Sequence, residues 1–128
     1  MPDSIPYERI PRSDHAAPVC RVQISYKGKT TNELAIIDSG ADVTCISKRI
    51  ADELSLEQSF AFEVEGVNNE TLETRPGYFV DFDFLGFEYK PLVVVAVKEP
   101  TNYVLIGRDV LCLRELTLSG LSQSFTIE

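Results

Sequence analysis

Residues 35–44 read Ala-Ile-Ile-Asp-Ser-Gly-Ala-Asp-Val-Thr, an apolar run that delivers one carboxylate, Asp38, into a tight Ser-Gly turn. Asp, Ser and Gly are turn formers, so Asp38 falls where a strand ends and the chain reverses. Val104-Leu105-Ile106-Gly107-Arg108-Asp109 repeats the design further along, as an apolar strand ending in Gly. Asp-Ser-Gly alone would read as a polar turn or a helix N-cap. The apolar residues before it, Ala41 after it and the second apolar-Gly segment make the combination specific.

At 128 residues the chain is one domain, large enough to bury a core without disulfide staples. Its net charge of −8, with 12 basic residues scattered among 20 acidic ones, excludes a nucleic-acid role, which needs clustered Lys and Arg. No apolar stretch approaches the roughly 20 residues of a membrane helix, so no membrane partner is expected. The Pro-rich, charged start lacks the apolar core of a secretory signal. We expect a cytoplasmic protein, or a piece released from a longer precursor. Cys20, Cys45 and Cys112 are odd in number and share no C-x-x-C spacing; reduced, half-buried thiols are expected. The one histidine, His15, lies near the N-terminus beside Asp14, which leaves Ser-His-Asp or Cys-His chemistry without a well-placed base. Neither His nor Cys cluster at zinc-ligand spacing, and no metal or cofactor is expected. Carboxylate chemistry remains.

Four of the seven prolines fall in residues 1–18, which read as an extended leader; residues 19–128 form the domain proper. Val19 to Tyr26 alternates as a strand, Lys27-Gly28-Lys29 turns, and Glu33 to Asp38 returns as the strand carrying the loop. Ser47 reads as the N-cap of a short helix over residues 48–54, with Ile50 and Leu54 on one face. Phe60 to Gly66 and Thr71 to Phe84 form two hairpin arms around Val67-Asn68-Asn69-Glu70. Phe87 to Val97 and Tyr103 to Gly107 read as core strands, Arg108 to Leu113 as a second short helix, and the terminal segment as a β-hairpin. The sum is an all-β fold: a small closed β-barrel with two short helices.

From about Val19 to the C-terminus the chain resembles the retropepsin-like, single-motif aspartic proteases. Asp38-Ser39-Gly40-Ala41-Asp42 matches the family's catalytic loop, and Ile106-Gly107-Arg108-Asp109 the segment that packs behind it. The helix at 48–54 and the long terminal hairpin look closest in pattern to bacterial members. The resemblance implies an acid-protease barrel whose hairpin is a flap, and a homodimer in which one Asp38 comes from each subunit. It implies an endopeptidase that binds polypeptide as an extended strand and hydrolyses it with water. Asp38 would be catalytic, with Ser39 and Gly40 fixing the loop. Ala41, Asp42 and the flap residues Gly66, Val67, Asn68 and Asn69 would meet substrate. Ile106, Gly107 and Arg108 would support the loop from behind, with Arg108 and Asp42 in a partly buried bidentate ion pair. The Asn-Asn flap tip departs from the Gly-rich viral tip, and the terminal segment is longer than the viral strand.

Two rival classes give different expectations. A non-catalytic peptide-binding or dimerisation module would keep the fold without cleavage, since fold does not imply function. A cation-binding loop would use Asp38 and Asp42 as oxygen ligands, but leaves Gly107-Arg108 unexplained.

Overall fold

The computed structural model describes residues 3–11, 13–65, 72–97 and 103–128. Three short strands come first, β1 (Ile5–Pro6), β2 (Glu8–Arg9) and β3 (Ala16–Ala17). Then follow β4 (Val19–Tyr26), β5 (Lys29–Ile37), β6 (Cys45–Ser47), α1 (Lys48–Glu53), β7 (Phe60–Glu65) and β8 (Leu72–Phe84). The chain ends with β9 (Phe87–Val97), β10 (Val104–Ile106), α2 (Arg108–Leu111), β11 (Leu116–Ser119) and β12 (Ser124–Ile127).

Six strands close into a ring in the order β4-β5-β10-β6-β9-β8, because β4 pairs back onto β8. Closure leaves the barrel no open edge. The long strand β8 serves three neighbours. Its first half pairs with β7 as a projecting hairpin, and its second half pairs with both β9 and β4. Two joints are parallel, β10 with β5 and β6 with β9; they set the two loop-bearing segments side by side. The turns at Lys27-Gly28 and Leu85-Gly86 have positive φ at both positions, the geometry that matches the twist of a two-residue hairpin.

Alternation decides which side chains fill the barrel. Val22 and Ile24 of β4, Ala35 and Ile37 of β5, Phe82 and Phe84 of β8 and Val94 of β9 are buried. Helix α1 caps one end with Ile50, Ala51 and Leu54, and Ser47 accepts the Ile50 N–H as its N-cap. Arg49 ties that helix to the barrel wall through a 2.5 Å ion pair with the nearly buried Glu33.

The expected strands and helices from residue 19 onward are present, with β6 added. The extended leader is paired rather than free: β1 lies beside β12, β2 pairs with β3, and Tyr7 packs on Phe125. Among the described residues no helix is long and apolar enough to cross a membrane.

The thiols differ by burial. Cys20 is buried, Cys45 half-buried and Cys112 exposed. Burial pushes the Cys20 thiol up to about 12. Burial, and then the Asp109 and Asp38 carboxylates, push Cys45 up to about 11. A neutral thiol is the protonated form, so the folded chain keeps protons that the unfolded chain loses from about pH 9 upward. Stability should therefore be intact below pH 8 and fall from about pH 9, up to about pH 11 through Cys45 and about pH 12 through Cys20, with each thiol contributing roughly 1 kcal/mol per pH unit at most. Denaturant titrations at pH 8 and pH 10.5 check this, and Cys20→Ala should flatten the slope. In native protein at pH 8, iodoacetamide should label Cys112 and spare Cys20; equal labelling would refute the burial assignment.

Candidate active site

Strand β5 ends at the buried Ile37, and the half-buried Asp38 follows it directly. The Asp38 N–H donates to the Ile106 carbonyl at 2.9 Å, continuing the parallel joint with β10 by one residue. The chain then turns at once: Ala41 N–H reaches the Asp38 carbonyl at 3.1 Å, and Gly40 N–H donates to Asp38 Oδ1 at 3.0 Å. One carboxylate oxygen is thus fixed by the loop backbone, while Oδ2 has no hydrogen bond among the described residues. Ser39 and Gly40 are exposed at the apex, and Ala41 is half-buried.

The Ile106-Gly107-Arg108-Asp109 segment locks this loop from behind. Arg108 N–H donates to the Ala41 carbonyl at 2.8 Å, and Gly107 N–H to Thr44 Oγ1 at 3.2 Å. Gly107 is required by contact: a Cβ there would sit 2.6 Å from the Val43 carbonyl carbon and oxygen. The Arg108 guanidinium donates to the Ser39 carbonyl at 3.0 Å and to Asp42 Oδ1.

That ion pair differs from the expectation in two ways. It joins Asp42 through one carboxylate oxygen, and its side chains are 52% and 83% exposed rather than partly buried. Both groups lie on the outside of the loop, where water and salt screen them. Arg108→Ala should cost the isolated chain no more than about 1 kcal/mol. A melting point unchanged to within a few degrees checks it; a collapse of the fold would show that the pair is desolvated.

Two residues that sequence reasoning passed over hold the centre of the site. Thr44 is fully buried. Its N–H and its hydroxyl both donate to the Asp109 carboxylate, at 3.0 and 2.8 Å, and Val110 N–H adds a third bond at 2.9 Å. Asp109 therefore pins the far end of the loop, and its position beside Gly107-Arg108 was the available signal. Among the described residues no group of three or more His, Cys, Asp or Glu could hold a metal ion. Gly66, Val67, Asn68 and Asn69 lie outside the described residues; the arms of their hairpin, β7 and β8, are paired as expected.

On the Asp38 side of the sheet an in-register row runs from Ile36 to Leu105, Cys45, Val95 and Gly77. Ile36, Leu105 and Cys45 are half-buried, which makes an apolar strip beside the carboxylate.

Fold and loop together define a single-carboxylate member of the acid-protease architecture. Residues 22–110 match the aspartyl protease family model, and the chain belongs to that family. In fold it is similar to the EIAV protease complexed with the inhibitor HBY-793, with a TM-score of 0.58 and 17% identity over 80% of this chain and 92% of that one. It is also similar to the Simian Foamy Virus (mac) protease in solution, with a TM-score of 0.50 and 20% identity over 70% and 89%. A third likeness is to the foamy viral protease-reverse transcriptase with an RNA/DNA hybrid, with a TM-score of 0.54 and 19% identity. This chain covers 77% of its own length there but only 12% of that larger protein. No curated protein matches the sequence.

Proposed function

We propose that the chain is an aspartic endopeptidase whose site is completed by two copies of Asp38, one from each subunit of a homodimer. The observation that carries this reading is the clamped carboxylate itself. Asp38 is held by Gly40 N–H in a loop locked at both ends, within a chain of the aspartyl protease family. Water attack on an amide needs a base and an acid, and one Asp38 supplies only one of them.

Two carboxyls brought together share one proton, because like charges that close do not both ionise cheaply. The ionised member takes a proton from water as the water oxygen bonds to the scissile carbonyl carbon. The protonated member donates to the carbonyl oxygen. Collapse of the tetrahedral species breaks the C–N bond, and the amine leaves with a proton from the pair. In this reading the Ser39 hydroxyl donates across the subunit interface, and Gly40 and Ala41 present the loop to substrate. Asp42 stands beside the substrate main chain, held by Arg108. The flap residues Gly66 to Asn69 cover a peptide bound as an added strand, and Ile36 and Leu105 offer apolar walls. No cofactor is required, and the site of action is cytoplasmic.

Mass-spectrometric profiling of a peptide library at pH 4–7, beside an Asp38→Asn control, tests the reading. Discrete cleavage sites that vanish in the control are expected. A dimer that binds peptides and leaves them intact would identify a non-catalytic module instead.

A further inference from the structure

We propose that Phe60, Phe62 and Phe79 form an outlying subsite for a large apolar side chain of a bound polypeptide, about four to six residues from the bond cleaved. The three rings sit at the base of the hairpin made by β7 and the first half of β8. Phe60 meets Phe62 edge-on with 4.8 Å between ring centroids, and meets Phe79 in the same way at 5.3 Å, an arrangement that aromatic rings favour. Gly77, opposite Phe60 in register, makes room for them. A Cβ there would run into the Phe60 ring and lie 2.9 Å from Phe62 Cδ2. Without it, the rings lie down against the sheet as an aromatic platform.

The register puts this platform on the same face of the sheet as Asp38. Side chains alternate along a strand, so residues paired in register share a face. The row of Ile36, Leu105, Cys45, Val95 and Gly77 continues to Phe60. Phe62 and Phe79 follow Phe60 and Gly77 at two-residue spacing and so point the same way. Val93, half-buried and in register with Phe79, widens the apolar surface, and Arg75 borders it opposite Phe62. The other face of β8 carries Val80, Phe82 and Phe84, which fill the barrel. The platform therefore lies outside the core, and an uncharged row leads to it from the carboxylate.

Packing over Gly77 accounts for the half-burial of Phe60 and Phe62, but not for Phe79. That ring is 44% exposed, the most open of the chain's seven phenylalanines. A residue outside the barrel can be polar at no cost to the core, so a cluster of partly open rings there marks a contact surface. Its continuity with the strip beside Asp38 names the occupant. In the endopeptidase reading, on which this inference rests, the substrate lies as an added strand along the hairpin arms. An added strand has the same rise per residue as its neighbours, and Phe62 and Phe60 stand four and six residues before Gly66. A peptide extended beyond the cleft therefore brings an outlying side chain onto the rings. Leu, Met or an aromatic residue covers them, whereas Ser or Gly leaves them in water.

The test uses fluorogenic peptides that share one cleaved core and carry Gly-Ser tails, with a single Phe or Ser placed at each outlying position on either side. Phe at the matching position should raise kcat/KM about fivefold to tenfold over Ser, mostly through KM, because a remote contact binds ground and transition states alike. Phe79→Thr and Phe62→Thr should bring that ratio to about one and leave cleavage of the bare core peptide unchanged. Thr suits a strand, so Phe79→Thr should melt near the parent. Leu121→Ser, exposed on the terminal hairpin, should keep the full ratio. A wild-type ratio near one, or a preference that survives both Phe variants, overturns the subsite and leaves the endopeptidase reading standing. A protein that cleaves nothing counts against that reading alone, and the subsite is then read by fluorescence anisotropy of labelled forms of the same peptides. The Phe form should bind at least about fivefold more tightly than the Ser form and lose that advantage in Phe79→Thr. Equal affinities, or no binding of either peptide, overturn the subsite.

Discussion

Asp38→Asn should lower kcat/KM on any cleaved peptide by 10²–10⁴, the range expected when a positioned acid–base group is removed, or about 3–5 kcal/mol in the barrier. The substitution isolates chemistry from structure. An Asn side-chain oxygen still accepts the Gly40 N–H that now fixes Asp38 Oδ1 at 3.0 Å. The backbone bond from residue 38 to the Ile106 carbonyl is untouched. The loop should keep its shape, so melting temperature and dimer affinity should stay near those of the parent. What Asn lacks is the ability to take a proton from water or to share one with the opposite subunit. An Asp38→Asn protein with kcat/KM within tenfold of wild type would end the assignment of Asp38 as the base.

The barrel was legible because its strands alternate or run continuously apolar. Val19–Tyr26 and Phe87–Val97 were read with their observed bounds, and Ser47 was read correctly as a cap. The pairing of the leader was not legible. Ile5 and Pro6 carry no strand pattern of their own and are extended because β12 offers a partner more than a hundred residues away. Strand β6 is three residues long and is defined by β10 and β9 on either side, a property of tertiary placement that no local pattern encodes. The Asp42–Arg108 pair was found in the sequence, but its burial was misjudged. Whether a salt bridge faces water depends on the packing around it, and here both side chains lie outside the loop. The role of Asp109 was missed for the opposite reason. In sequence it looks like ordinary acidic decoration of a helix start, while in space it meets the buried Thr44 from 65 residues away.

That contact yields the largest expected loss of stability. Asp109→Ala removes the acceptor for the Thr44 N–H and hydroxyl, and Thr44 is fully buried, so water does not take its place. Hydrogen bonds to a charged acceptor contribute about 1.5–3 kcal/mol each. The carboxylate is itself only half-buried, which keeps the combined loss near the low end, about 3 kcal/mol. For a domain of this size that is a fall of about 10 °C in Tm. The damage should extend to activity, because Thr44 Oγ1 also accepts the Gly107 N–H behind the Asp38 loop. Asp109→Asn should recover more than half of the stability, since an amide oxygen still accepts from Thr44. A double-mutant cycle with Thr44→Val sharpens the reading. If the two residues act through each other, the double variant should be more stable than the sum of the single losses implies, by about 1–2 kcal/mol. Strict additivity, or an Asp109→Ala protein that melts within about 2 °C of the parent, would mean that the loop is held by Gly107 and its backbone bonds without the help of Asp109.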